Sequence, residues 1–278
     1  MNNIAEGAHA DRLVETIFSS DRYTVRSCRV NDDPLTVVTF APRSDGTPNL
    51  EGSFFGERFF RAHGINVIGV TPSKNDWYQS SGIFTAIGAV RTATKGHRVV
   101  GYGGSMGAYG LLNYYHELEL DAVIAVAPQF TPDLRKVDFD TRWAEDRKAF
   151  EPTIDRVGTI RPIESGYILY DRGYAPDKRH VELIQNRHKL TEIHLPFSRH
   201  LPLAFLNQAE IVDHTIPAMV RGTFEKSAFR KLTKVQRRIC RPYMDEVSRY
   251  LSSRLDRLNA SKSTPHDGTE DRRELRIV

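Results

Sequence analysis

Between Tyr23 and Ala204 the chain alternates two hydrophobic rhythms. Short apolar or β-branched runs read as strands: Tyr23–Val30, Leu35–Phe40, Ile65–Val70, Arg98–Tyr102, Ala122–Ala127, Gly166–Tyr170 and Glu192–Phe197. Segments with apolar residues three or four apart read as helices. They lie near Phe54–Ala62, Ile83–Thr92, Met106–Glu119 and Asp177–Lys189. Several strand runs are apolar throughout, as expected of strands covered on both faces. The alternation predicts an α/β fold, a mostly parallel central sheet flanked by helices, with its chemistry on loops beyond the carboxyl ends of the strands.

A different pattern follows. Phe224, Ala228, Leu232, Val235 and Ile239 step by three or four, and Val247, Tyr250, Leu251, Leu255 and Leu258 continue the stripe beyond Pro242. Residues 259–278 carry no such stripe and are expected to be a disordered tail. The organisation expected is therefore an N-terminal segment (1–21), an α/β core (22–208), a basic amphipathic helical extension (209–258) and the tail (259–278). Within the core, residues 131–162 form an insertion carrying Phe139, Trp143 and Phe150, placed to make a small cap or to pack beside the sheet.

Composition is that of a globular chain: 278 residues, 40% hydrophobic and 27% charged. Two cysteines, Cys28 and Cys240, cannot make a disulfide framework or a zinc site alone. The longest apolar run, Ala122–Ala127, is far short of a membrane span, and the first residues lack a leader pattern, so a cytoplasmic location is expected. The net charge of +4 is concentrated: from Arg221 to Arg257 there are 11 Lys or Arg against 4 Asp or Glu. This segment is either a solvated helix face or a contact for an anionic partner or membrane surface; no nucleic-acid partner is expected. A docked amphipathic segment would serve a homodimer equally well. Histidine and carboxylate spacings suggest no metal site, and no cofactor is expected.

The strand ending at Tyr102 runs into Gly103-Gly104-Ser105-Met106-Gly107, a Gly-x-Ser-x-Gly pattern followed by the small residues Ala108 and Gly110. Glycines at both flanking positions let a strand and a helix close into a tight turn that lifts the serine hydroxyl above the sheet. The spacing fails a dinucleotide loop, which needs a third glycine where Met106 stands, and a phosphate loop, which needs a lysine.

With this elbow, then Asp171 after one strand and His200 after the last, the chain from Leu35 to Leu206 resembles the α/β-hydrolase superfamily, in which nucleophile, acid and base follow in that order. The resemblance implies acyl-transfer chemistry through a serine ester. A serine hydroxyl needs a base, and the base a carboxylate to orient it. The expected catalytic residues are Ser105, His200 and Asp171; Asp177 is the rival acid, although it also suits a helix N-cap. The expected oxyanion donors are the backbone N–H groups of Met106 and Ala41, with Phe40 or Arg43 as alternatives to Ala41, since Pro42 has no N–H. Asn75, Trp77, Tyr78 and Gln129, on loops at the same sheet edge, are candidate contacts for a sugar or other polar group.

Two functional readings remain. One is an enzyme cleaving a carboxylic ester of a glycan or polar small molecule, or passing the same acyl group to another hydroxyl. The other is a non-catalytic hydrolase-like scaffold that binds through its basic C-terminal helices.

Overall fold

The computed structural model describes residues 14–263. The rest of the expected N-terminal segment, and residues 264–278 of the expected tail, lie outside the described residues. Eight strands form one sheet in the order β1-β2-β4-β3-β5-β6-β7-β8. They are β1 (Val14–Ser19), β2 (Tyr23–Cys28), β3 (Leu35–Phe40), β4 (Asn66–Pro72), β5 (Arg98–Gly104), β6 (Ala122–Val126), β7 (Gly166–Tyr170) and β8 (Thr191–His194). β3 to β8 pair in parallel, and β1 and β2 add an antiparallel edge. The α/β architecture with a mostly parallel, helix-flanked sheet is thus as the sequence rhythm predicts.

Helices cover both faces. On one face α2 (Ile83–Ala93), α3 (Met106–Asn113) and α5 (Ala175–Gln185) pack through Ile87, Leu111 and Ile184. On the other lie α1 (Glu57–Ala62), α6 (Pro202–Gln208), α7 (Val212–Arg221) and α8 (Lys226–Gln236), which bury Phe60, Leu206, Ile216 and Phe229. The strands between these layers are buried on both sides, β6 along its full length, which is why they lack period-two alternation.

The structure differs from the sequence reading at the ends. β1 was not expected within residues 1–21; its half-exposed side chains and a register shift between Thr16 and Phe18 remove the alternation that would have marked it. Within the segment 209–258, Ile216, Met219 and Val220 of α7 are core residues. The final helix, α9 (Arg241–Ser263), continues past the expected tail boundary at 259. Its N-terminal part docks through Tyr243, while Leu251 and Leu255 stay exposed. The insertion 131–162 contains a short helix, α4 (Ala144–Lys148), and rests against the core through Trp143, Phe150 and Ile154. No described helix is long and apolar enough to cross a membrane.

Candidate active site

Ser105 joins β5 to α3 with φ 51° and ψ −116°, a conformation that side-chain-bearing residues avoid. Its amide is held by the Val126 carbonyl at 2.9 Å. The flanking glycines are required by contact. A Cβ on Gly103 would lie 2.7 Å from the Gly107 backbone, and one on Gly107 would lie 2.2 Å from the Phe40 carbonyl oxygen. The close approach of β3, β5 and α3 is possible only without these side chains.

His200 stands on the loop after β8, where Phe197 and Arg199 both have positive φ. Its Nε2 lies 3.0 Å from Ser105 Oγ, and its Nδ1 lies 2.8 Å from Asp177 Oδ2. A carboxylate can only accept at Nδ1, so Nδ1 carries the proton and Nε2 is left to accept from the serine hydroxyl. Asp177 is fully buried.

The carboxylate at His200 is therefore Asp177, and Asp171 is corrected. Asp171 Oδ1 accepts the Gly173 N–H at 2.8 Å and Oδ2 accepts the Arg199 N–H at 3.0 Å. These bonds tie the turn after β7 to the histidine loop and occupy both oxygens. Asp177 is not the N-cap of α5 either, since Tyr174 holds that position and the Asp177 side chain points to His200.

Sequence reasoning missed a buried charge network behind Asp177. Arg142, from the insertion, donates to Asp177 Oδ1 at 2.8 Å and pairs bidentately with Asp140. Burial opposes the Arg142 charge, but the hydrogen bond to Asp140 and the charges of both carboxylates outweigh it and raise its pKa. Asp140 likewise overcomes burial through its hydrogen bonds to Arg142 and His180, and its pKa is lowered. His180 donates Nε2–H to Asp140 and accepts the Phe130 N–H at Nδ1; burial holds its pKa below the ordinary value. Trp143 stacks obliquely on His200 with ring centroids 5.1 Å apart. An Asp-x-Arg-Trp run (Asp140 to Trp143) inside an aromatic insertion was the available signal, but nothing in its spacing pointed to Asp177 or His200.

Of the two expected oxyanion donors, the Ala41 N–H is already engaged and is corrected. The Met106 N–H is the first amide of α3, an end position with no acceptor inside its own helix. Ala41 N–H, by contrast, donates to the Val70 carbonyl at 3.2 Å, extending the β3–β4 ladder. Pro42 has no N–H, and Ser44 N–H donates to Asn75 Oδ1. The Arg43 N–H makes no hydrogen bond among the described residues, and both Pro42 and Arg43 line the pocket over Ser105.

Of the expected substrate contacts, Trp77, Tyr78 and Gln129 are fully buried. Trp77 Nε1–H donates to Gln129 Oε1 at 2.7 Å, and Tyr78 O–H donates to the Ala41 carbonyl at 2.7 Å. Positive φ at both Trp77 and Tyr78 turns these loop aromatics inward, so they are core residues and do not line a substrate surface. Asn75 holds both polar groups of the Ser44 backbone and so fixes the turn after β3. It also lines a cleft.

Two cavities meet at Arg43 and Asp45, which line both. A pocket of about 310 Å³ over Ser105 is walled mostly by apolar groups, among them Val126, Trp143, Leu201 and Leu203. A larger cleft of about 700 Å³ extends beyond them, lined by polar and charged side chains including Arg22, Thr47, Lys74, Asn75 and Glu151. Among the described residues no group of three or more His, Cys, Asp or Glu is placed to hold a metal ion.

No protein-family model and no curated protein matches this chain. Solved structures do. An arylesterase superposes with a TM-score of 0.53 at 15% identity, covering 76% of this chain and 83% of its own. The capsule O-acetyltransferase of Neisseria meningitidis serogroup A superposes with a TM-score of 0.50 at 12% identity, covering 71% of this chain and 93% of its own. The sheet order, the elbow and these superpositions agree that the chain has the α/β-hydrolase fold.

Proposed function

We propose that this protein is a serine-dependent acyl-group enzyme that cleaves a carboxylic ester of a polar alcohol. The observation that carries the reading is the continuous relay Ser105 Oγ, His200, Asp177, with gaps of 3.0 and 2.8 Å, at a strained elbow. In the first step His200 Nε2 takes the hydroxyl proton as Ser105 Oγ bonds to the ester carbonyl carbon. The oxyanion that forms is stabilised by the Met106 and Arg43 N–H groups. His200 returns the proton to the departing alcohol as the carbon–oxygen bond breaks, leaving an acyl-serine. A second hydroxyl, from water, repeats the sequence and frees Ser105. Asp177 holds the imidazole in the required tautomer throughout.

The cavities support a division of the substrate. The small apolar pocket suits a short acyl group, and the larger polar cleft suits a hydroxyl-rich alcohol such as a sugar. The same cleft would hold a second alcohol in place of water, which makes acyl transfer the companion reading. The two solved neighbours, an esterase and an O-acetyltransferase, support both outcomes of one acyl-enzyme.

Labelling with a fluorophosphonate probe tests the reading. We expect one covalent adduct, on Ser105, absent in Ser105→Ala and strongly slowed in His200→Ala. Folded protein that takes up no label overturns the proposal. Release of acetate from p-nitrophenyl acetate, with and without added glycerol or glucose, then separates hydrolysis from transfer.

A further inference from the structure

Away from the triad, α8 crosses the carboxyl end of β8 and encloses a crevice of about 380 Å³. Lys226, Arg230, Lys234 and Arg237 all line it, spaced by four, four and three residues along one face of the helix. None of the four has a carboxylate partner among the described residues. Arg237 instead lies over the Tyr243 ring at 5.6 Å. Arg172 and His194 line the opposite wall. The His194 Nδ1 accepts the Arg172 N–H, which leaves Nε2 as its donor. The one acidic lining residue, Glu192, is already engaged by the Tyr170 hydroxyl, Arg172 and Gln185. Those bonds outweigh its burial and hold its carboxyl pKa below the ordinary value.

This arrangement serves the helix only at its C-terminal end, where Lys234 and Arg237 meet the negative end of the dipole. Like charges four residues apart repel, and Lys226 sits in the first turn, where the helix dipole disfavours a cation although Glu225 stands at the N-cap. The mutual repulsion of the row is relieved when an anion enters the crevice. A phosphate group in the crevice can reach several of these side chains at once.

We propose that this crevice is a binding site for a small phosphate-bearing anion, of the size and charge of a diphosphate. The site is separate from the triad, and its existence does not depend on the acyl chemistry.

Titration calorimetry of the full chain with pyrophosphate, at near-physiological ionic strength, tests it. Saturable binding is expected, weakened at least about tenfold in Arg230→Gln/Lys234→Gln, which removes two charge-assisted contacts. Lys231→Gln/Arg238→Gln, outside the crevice, is expected to keep the affinity of the parent. Lys226→Gln alone keeps the test readable should the first double variant lose thermal stability. Inorganic phosphate in place of pyrophosphate shows whether one phosphoryl group suffices, and its weaker saturable binding supports the site. Failure of both anions to saturate, equal loss in the two double variants, or association with anionic vesicles or RNA alone overturns the proposal. Fluorophosphonate labelling of Ser105 in the same variants is expected to be unchanged, so the two proposals fail separately.

Discussion

In the proposed enzyme the exchange of Asp171 for Asp177 as the orienting acid has a sharp kinetic consequence. Asp177 accepts two charge-assisted hydrogen bonds, from His200 Nδ1–H and from Arg142, and is shut off from water. In Asp177→Asn the side chain has one carbonyl oxygen for two donors. If that oxygen keeps Arg142, the new NH₂ faces Nδ1, and the imidazole must put its proton on Nε2, where it can no longer accept from Ser105. A misplaced tautomer of this kind lowers turnover by about 10³ to 10⁴, equivalent to about 4 to 5.5 kcal/mol of transition-state stabilisation. Asp171→Asn is different. Asp171 touches only the backbone amides of Gly173 and Arg199, so one amide loses its acceptor and the histidine loop loosens. The expected loss is about tenfold or less, near the 1 to 1.5 kcal/mol of a single hydrogen bond. Initial rates on p-nitrophenyl acetate, with the rate of fluorophosphonate capture as a second measure, give the comparison directly. A greater loss in Asp171→Asn, or an Asp177→Asn variant within tenfold of the parent, refutes the assignment.

Two further outcomes follow from packing and charge. Gly107→Ala drives a Cβ against the Phe40 carbonyl, a backbone atom with little freedom, and is expected to cost about 1–3 kcal/mol of stability. Gly88→Ala, in α2 with open space around its Cβ, is expected to gain about 0.5–1 kcal/mol; urea unfolding compares them, and equal effects would contradict the close-approach argument. His180 and His188 are buried with pKa values lowered by desolvation, and each accepts a backbone N–H at Nδ1, which protonation would forbid. The unfolded chain therefore binds more protons, so stability is full above the unfolded histidine pKa of about 6.5 and is lost as pH falls below it. In His188→Gln the amide can still donate to Val157 and accept from Ile163, so its urea midpoint should fall less between about pH 7 and pH 5 than that of the parent. Identical slopes would rule out His188 as a contributor.

What the sequence made legible was whatever is dictated locally. The elbow is a steric demand within five consecutive residues, so Gly103, Ser105 and Gly107 announce it. His200 could be placed because the loop after the last strand is short and holds a single histidine. The acid was harder: Asp171 on the turn after β7 and Asp177 in the first turn of α5 lie six residues apart, and which of them meets the imidazole depends on how the histidine loop folds back. Burial of Trp77 and Tyr78 was hidden for a similar reason, since two residues of left-handed backbone, unsuggested by their type, reverse the direction of their side chains. The Ala41 N–H was lost to a ladder bond one residue past the strand end, a distinction finer than sequence boundaries allow.

Arg142 and Trp143 enter the site from the insertion, not from any strand end. In the proposed enzyme the acid's second partner and the ring beside the base thus arrive on a segment that contributes no strand to the sheet. Grafting a different insertion onto this scaffold would leave the nucleophile turn intact yet strip Asp177 of its guanidinium and His200 of its neighbouring indole. Replacement of residues 131–162 would then retune the reaction from outside the sheet and its elbow, without touching a member of the relay.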